Sequence, residues 1–264
     1  MGEVKLSDNE FLNAEGIICC SKCKEPKQSE YEGHKYPIMC KCRRDRLEEE
    51  ELEEKRRKLE DRRIQSIPNA KLRSFTFDKD DQQDKETTTI LKRYVSKFVE
   101  MKAKGLGLLL WGSVGTGKTF YAHCIANELI NAGYSVKSTS LSNIVQIAQD
   151  FENGEMSINK ILQNQIILID DVGTERQTTF ANEQIYNFID KATSLNRVLI
   201  LTTNFMPKEF EEAAQDTADL VHARIYSRIL EKCYPVKVNK IKHRDALKEE
   251  NRQFMKNLLQ GEEV

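Results

Sequence analysis

Many of the apolar residues in this chain fall into short runs, and longer amphipathic segments separate these runs from one another. Runs of four or five consecutive apolar residues are typical of strands buried on both faces of a sheet. Because the segments between them repeat their apolar positions at helical spacing, the pattern predicts an α/β fold with helices flanking a parallel sheet. The predicted strands are Gly107–Trp111, Tyr134–Thr139, Ile166–Ile169, Val198–Thr202 and Tyr234–Val238.

Five segments predict the helices that cover this sheet. In the first of them, Ile90, Tyr94 and Phe98 recur on one helical face, so we expect one continuous helix. The third is expected to start beside Ser140 or Ser142, since serine caps helix N-termini. The predicted helices are Thr87–Lys102, Thr119–Ala132, a helix from about Leu141, Ala181–Leu195 and Ala218–Leu230.

The remaining segments differ in composition from this α/β region. Five of the seven cysteines lie before Arg44, and an almost wholly charged stretch then continues until Pro68 interrupts it. The charged stretch has only Leu47, Leu52 and Leu59 at regular apolar positions, which favours a solvated helical spacer over an oligomerising coiled coil. The expected parts are a cysteine-rich module at 1–44, a charged helical linker at 45–69, a globular domain at 70–245 and a charged tail at 246–264.

Composition narrows the class of protein. The net charge is -1 although 31% of the residues are charged, so any contact with nucleic acid must come from local basic patches. The sequence has no apolar run of about eighteen residues and no signal-peptide pattern. This predicts a cytoplasmic protein without a membrane-spanning segment. In that compartment the seven cysteines need a role other than disulfide formation.

Directly behind the first predicted strand, the chain has the pattern of a phosphate-binding loop. Gly115 and Gly117 allow the backbone to turn its N–H groups toward an anion. Lys118 supplies a charge to the β- and γ-phosphates, and the Thr119 hydroxyl can ligate Mg²⁺. The pattern predicts binding of a nucleoside triphosphate through Gly112, Ser113, Val114, Gly115, Thr116, Gly117, Lys118 and Thr119.

Two further predicted strands end in polar residues at the same edge of the sheet. Asp170 is expected to hold Mg²⁺, and Asp171 to orient or deprotonate the attacking water. Because adjacent strand residues point to opposite faces, the two acids are expected to differ in role, with turn-initiating aspartates as the alternative. Asn204 follows the next strand, where its amide can bond the γ-phosphate or the water unless it only forms an Asx turn.

The cysteine-rich module has two closely spaced pairs, Cys20 with Cys23 and Cys40 with Cys42. Four thiolates at this spacing predict a tetrahedral Zn²⁺ site, for which a redox dithiol is the alternative. Two further side chains, Cys19 and His34, are spare ligands. Lysines and arginines crowd the module, where they either offset the negative zinc centre or present a basic face to DNA or an acidic partner.

Arg224 and Arg228 share one face of the last predicted helix. They are either solvated or placed to reach the nucleotide of a neighbouring chain. Together with the phosphate loop, the Asp-Asp-Val-Gly-Thr-Glu-Arg string that starts at Asp170 and the polar strand end at Asn204, they make the region 70–245 resemble AAA+ ATPases. The resemblance is to the DnaC-type helicase loaders and their IstB-like relatives.

The resemblance implies a role for each of these residues. Lys118 and Thr119 correspond to Walker A, Asp170 and Asp171 to Walker B, and Asn204 to sensor 1. The usual second Walker B acid of the family is Glu, so the shorter Asp171 implies slow, switch-like ATP hydrolysis.

The same resemblance makes Arg228 the arginine finger, with Arg224 beside it, and implies that Arg244 faces the nucleotide. It further implies an ATP-dependent loader that binds a hexameric replicative helicase of the DnaB type and single-stranded DNA. ATP would hold a head-to-tail assembly, and hydrolysis would release it. Phage and mobile-element loaders of this kind carry similar N-terminal cysteine modules, which agrees with the predicted zinc site.

Three other functions stay open on the sequence. An IstB-like transposition helper would act with a transposase on duplex DNA. A small-molecule kinase needs an acceptor pocket and an arginine-rich lid, and neither is evident between Asn204 and Arg244. A zinc-containing DNA-binding switch would bind ATP without hydrolysing it.

Overall fold

The computed structural model describes residues 7, 9–80, 84–173, 178–215, 220–239 and 251–256. The chain divides into two compact units, Met1–Glu60 and Asp61–Val264. In the first unit, strand β1 (Glu10–Leu12) pairs with β2 (Ile18–Cys20), and β3 (Gln28–Tyr31) pairs with β4 (His34–Pro37). Both pairs are antiparallel, and sequence analysis missed them because such short strands have too few apolar residues to show a period.

Helix α1 (Lys41–Ser66) is continuous over 26 residues. Most of its side chains are charged and exposed, and Glu54 with Lys58 forms one of the ion pairs between successive turns, at 2.7 Å. Exposed pairs of this kind contribute only about 0.3–0.5 kcal/mol each, so the helix is a solvated element supported by its helix-forming residues. Because it begins at Lys41, Cys42 lies in its first turn.

The second unit is an alternation of strands and helices. In chain order its elements are α2 (Ala70–Arg73), α3 (Lys85–Ser96), α4 (Phe98–Lys104), β5 (Gly107–Trp111), α5 (Lys118–Asn131), β6 (Val136–Ser140), α6 (Leu141–Ala148), α7 (Gly154–Leu162), β7 (Ile166–Val172), α8 (Thr179–Ser194), β8 (Val198–Thr203), α9 (Pro207–Ala214), α10 (Leu220–Lys232) and β9 (Cys233–Lys237). Among the helices of the described residues, none has the length and apolarity needed to span a bilayer.

The five strands of this unit form one parallel sheet in the order β6-β7-β8-β5-β9. This confirms the predicted α/β class, and burial explains the pattern, since every residue of β8 is buried. The chain leaves β5 for the far edge of the sheet and returns strand by strand. The crevice at the carboxyl end of β5 is therefore the expected place for a ligand.

The helices differ from the prediction in two respects. The segment expected as one helix at Thr87–Lys102 is divided into α3 and α4, because the backbone at Lys97 leaves helical geometry. The break lets Phe98 turn inward, where its ring packs edge-on against Tyr134 with 4.7 Å between centroids. Helices α7 and α9 have no counterpart in the prediction. Of the two predicted caps for α6, Ser140 is the one that forms it, which confirms the expected start of this helix.

Candidate functional site

The phosphate loop joins the buried strand β5 to helix α5 at the carboxyl edge of the sheet. Gly115 and Gly117 have φ values of +89° and +93°, a left-handed conformation that side chains disfavour, which explains both glycines. Gly117 is also the N-cap of α5, and it has no side chain to bond the first N–H groups of the helix. Those N–H groups are therefore directed at the place where a phosphate would lie.

Lys118 is almost fully buried, with 6% of its surface exposed. Its Nζ donates hydrogen bonds of 2.9 Å to the carbonyl oxygens of Gly112 and Ser113 and of 2.8 Å to Oδ1 of Asn204. Three acceptors offset the loss of hydration that burial imposes on an ammonium group. The structure thus joins the lysine and the amide to which the sequence assigns phosphate contacts.

Thr119 and Asp170 meet across the same edge of the sheet. The Thr119 hydroxyl lies 3.0 Å and 3.1 Å from the two carboxylate oxygens of Asp170. Hydroxyl and carboxylate oxygens are the donors that Mg²⁺ selects, so this pair fits the ion that the sequence analysis places here. Both residues are positioned by regular elements, Thr119 by the first turn of α5 and Asp170 by the end of β7.

Asp171 departs from the regular strand expected in the sequence analysis. Asp170 and Asp171 together oppose the single residue Thr202 of β8, which is a β-bulge, and Asp171 has a left-handed φ of +56°. Aspartate is among the few residues that tolerate this conformation. The regular strand alternation assumed for the two acids does not apply here, because a bulge adds one residue and re-aims the side chains around it, and their different roles stay a prediction.

The end of β9 is tied to the start of the phosphate loop. The Val238 N–H donates a 2.8 Å hydrogen bond to the Trp111 carbonyl, and a Cβ on Gly112 would lie only 2.6 Å from the Val238 carbonyl oxygen. The next N–H, of Asn239, donates to Oδ2 of Asp84 at 2.9 Å, and Asp84 is the N-cap of α3. Gly112 is therefore required by this close approach of two backbones.

His123 lies one turn after Thr119 in α5, and sequence analysis assigned it no role. It is fully buried; its Nδ1 lies 2.8 Å from the Thr119 carbonyl oxygen and its Nε2 3.1 Å from the Ser138 hydroxyl of β6. Burial lowers the pKa of His123, so a neutral ring donates to the carbonyl and accepts from the serine. The sequence signal was a histidine within an otherwise apolar stretch of helix.

Arg224 and Arg228 lie on the exposed side of α10, beside a cleft of ≈ 380 Å³. The Arg228 guanidinium forms ion pairs of 3.2 Å with Asp190 of α8 and 3.2 Å with Glu231 of α10. Arg228 is thus held by carboxylates of its own chain, which sequence analysis did not foresee. The position of Arg244, the third arginine of the prediction, lies outside the described residues.

The four predicted zinc ligands come together in the first unit. The sulfur atoms of Cys20, Cys23, Cys40 and Cys42 all lie within 4.8 Å of one another, and the Cys42 sulfur is 3.5 Å from those of Cys20 and Cys40. Tetrahedral zinc with bonds of about 2.3 Å places its sulfurs about 3.8 Å apart, so the donor set and spacing fit this ion. Neither Cys19 nor His34 belongs to the group.

The acidity of these thiols follows from their surroundings. The backbone N–H groups of Cys23 and Lys22 lower the pKa of Cys20 to about 6, and those of Cys42 and Glu25 lower the pKa of Cys23. The pKa of Cys42 is instead raised to about 12 by the neighbouring sulfur atoms, of which that of Cys20 has the largest effect. Each thiolate that forms in such a cluster makes the next deprotonation less favourable, because the negative charges repel one another. A bound divalent cation offsets this charge, so the cluster is suited to one.

The parallel sheet, the phosphate loop and the polar strand ends beside it define a P-loop ATPase of the AAA+ class. The sequence profile of the family described as IstB-like ATP binding protein matches residues 41–251, and the chain belongs to this family. The replicative helicase loader DnaI of Bacillus subtilis is 24% identical over 242 residues, which cover 83% of this chain and 76% of DnaI.

Two further comparisons agree with this assignment. The replicative helicase loader DnaC of Escherichia coli is 29% identical over 118 residues, which are 43% of this chain and 47% of DnaC, about half its length. The crystal structure of DnaI superposes with a TM-score of 0.56 and 21% identity, over 66% of this chain and 93% of that structure. The structural match shows a shared fold.

Proposed function

We propose that this protein is an ATP-dependent loader that binds a replicative DNA helicase and single-stranded DNA. The observation that carries the proposal is the similarity to a replicative helicase loader over 83% of the chain. The ATPase domain that the sequence predicts at 70–245 is 176 of 264 residues, about two thirds of the chain. The similarity is therefore longer than the ATPase domain alone.

The two ends of the chain have different tasks in this proposal. The module at 1–44 binds Zn²⁺ through its four clustered cysteines and contacts the helicase, and the linker at 45–69 connects it to the ATPase domain. The clustered sulfur atoms support the zinc assignment. A segment of this size with so few buried residues gains stability from a bound metal, which would give the module a fixed surface for a partner.

Within the ATPase domain, the proposed site works through competition for Lys118. A phosphate oxygen and Asn204 accept from the same ammonium, so ATP binding releases the Asn204 amide for the γ-phosphate or the attacking water. Thr119 and Asp170 would hold Mg²⁺, which when bound neutralises phosphate charge. Asp171 accepts the proton of the water.

Assembly of several chains brings arginine side chains to the nucleotide, where their positive charge offsets that of the phosphates. In a head-to-tail array, Arg228 of one chain reaches the nucleotide of its neighbour, with Arg224 beside it, and Arg244 faces the nucleotide. The exposed position of Arg228 on α10 supports this role, because a finger has to be accessible to another chain. Hydrolysis then removes the γ-phosphate and weakens the array.

The test is the mass of complexes between the full chain and the hexameric replicative helicase of the same host, with and without ATP. We expect a complex whose mass changes with ATP for the wild type and does not change for K118A. No complex under any condition would overturn the loader proposal. Short single-stranded and duplex DNA of equal length, titrated in parallel, should show preference for the single strand.

A second candidate is a transposition helper that acts on duplex DNA with a transposase. The family described as IstB-like ATP binding protein, which matches residues 41–251, supports this candidate. Preference for duplex DNA together with no helicase complex would select this candidate over the loader.

A further inference from the structure

We infer that Thr202 is a positioning residue of the ATPase site, and that its hydroxyl fixes the Asp170 carboxylate and the backbone of Asp171 at once. In the sequence, Thr202 is visible only as the last residue of a predicted strand. The inference rests on the proposed roles of the two acids, and it states what holds them in place.

One hydroxyl makes both contacts. Oγ1 of Thr202 donates a 2.5 Å hydrogen bond to Oδ1 of Asp170 and accepts one of 2.8 Å from the Asp171 N–H. Thr202 has no exposed surface, so solvent has no direct access to replace this hydroxyl. Its single proton is committed to Asp170, and a lone pair is committed to Asp171.

The bulge explains why a hydroxyl is needed at this position. Where two residues of β7 oppose one residue of β8, the regular ladder is interrupted and a backbone N–H loses its strand partner. Backbone N–H groups away from water are almost always bonded, because an unmade bond costs free energy. The Thr202 side chain takes the place of the missing ladder acceptor for Asp171.

The hydrogen bond from Thr202 to Asp170 acts directly on the proposed Mg²⁺ ligand. Oδ1 of Asp170 receives hydrogen bonds from Thr119 at 3.0 Å and from Thr202 at 2.5 Å. Two donors on one oxygen fix the rotation of the carboxylate and therefore the direction of its second oxygen. Groups that orient a metal ligand in this way typically change metal affinity or activity by roughly 10–100-fold when they are removed.

The two hydrogen bonds also explain why residue 202 is a threonine. Threonine has a stiff χ1 because it is branched at Cβ, so its hydroxyl direction is restricted by the strand backbone. Valine has nearly the same shape without the hydroxyl, whereas serine keeps the hydroxyl and loses the branch. These two substitutions separate the hydrogen bonds of Thr202 from its packing.

The next residue provides a matched control. Thr203 is equally buried, and its hydroxyl donates to the Val172 carbonyl at 2.9 Å and accepts from the Phe205 N–H at 3.2 Å. T203V therefore removes one buried hydroxyl and two hydrogen bonds, as T202V does, but it does not touch either acid. Stability losses of the two variants should be similar.

The experiment titrates the full-length wild type, T202V, T202S and T203V with Mn²⁺ in the presence of ADP, and follows free Mn²⁺ by electron paramagnetic resonance. We expect T202V to weaken nucleotide-dependent Mn²⁺ binding about tenfold or more and to lower kcat for ATP by a similar factor. T202S should stay within about threefold of wild type, since it keeps both hydrogen bonds. T203V should change the melting temperature without changing Mn²⁺ affinity.

Equal Mn²⁺ affinity in T202V and T203V would overturn the inference. If T202V does not fold, T202A and T203A replace the valine pair, and the same difference between positions is required. A wild type that binds no Mn²⁺ with nucleotide would overturn the role of Asp170 as well. Failure to bind a helicase leaves these results unchanged, so the loader proposal and this inference fail separately.

Discussion

Nζ of Lys118 donates a 2.8 Å hydrogen bond to Oδ1 of Asn204, which links the phosphate loop directly to the end of β8. The lysine is buried, and it also donates to two carbonyl oxygens of its own loop. Any phosphate that approaches Lys118 must therefore compete with an amide that belongs to another strand. In the proposed mechanism, this competition would make Asn204 respond to a phosphate in the loop.

Changing the charge at Asn204 should expose the competition. N204D places a carboxylate beside Lys118, and we expect ATP affinity to fall at least tenfold, because charged hydrogen bonds contribute about 1.5–3 kcal/mol and the new charge repels phosphate. N204A should bind ATP within about threefold of wild type but hydrolyse it more slowly. Titration with a fluorescent ATP analogue checks both, and wild-type affinity in N204D would contradict the competition.

Asp171 should tolerate asparagine better than other substitutions. Asparagine shares the tolerance for left-handed φ and keeps the bulge, so D171N should melt near the wild type while kcat falls about 100-fold or more with ATP binding retained. Valine at this position should instead lower stability by about 1–3 kcal/mol through backbone strain. Calorimetry and single-turnover hydrolysis measure the two effects, and full activity in D171N would remove Asp171 from the reaction.

The cysteine cluster should contain one zinc ion per chain. C20S or C42S should lower the zinc content measured by plasma mass spectrometry and abolish the thermal transition of the first unit, because structural zinc sites are coupled to folding. C19S is the matched control, since Cys19 is adjacent to Cys20 but lies outside the cluster. Equal zinc content in C19S and C20S would contradict the assignment.

Arg228 should extend toward a neighbouring chain more readily when its carboxylate partner Asp190 is removed. The Arg228–Asp190 pair lies on a surface where the arginine is 45% exposed, so breaking it costs at most about 1 kcal/mol of stability. We expect D190N to raise assembly-dependent hydrolysis by up to about fivefold and R228A to abolish it while ATP binding persists. Turnover measured against protein concentration tests this, and undiminished assembly-dependent turnover in R228A would exclude the finger.

The sheet was predictable because its strands have a simple physical signature. Strand β8 is buried along its whole length, and burial on both faces demands the continuous apolar run at Val198–Leu201 that the sequence shows. The phosphate loop was predictable for a similar reason. Its backbone has left-handed φ values at two positions, which favour glycine, and the sequence has Gly115 and Gly117 there.

The rest of the site depends on relationships between distant residues that no local pattern encodes. The bulge at Asp171 lies in the register between β7 and β8, and the division between α3 and α4 accompanies the packing of Phe98 on Tyr134. A signal for Thr202 existed, as a polar residue in an apolar strand opposite two acids. Its meaning required knowing which strand is the neighbour.

The bonds at the end of β9 connect the start of the phosphate loop with the start of α3. Val238 is anchored to Trp111, and Asn239 to the side chain of Asp84 at the start of α3, within two consecutive residues. A displacement of this short stretch would therefore reach both the backbone that opens the loop and the start of α3. Three separate elements of the chain, β5, α3 and β9, are in this way fastened together at the entrance to the phosphate loop.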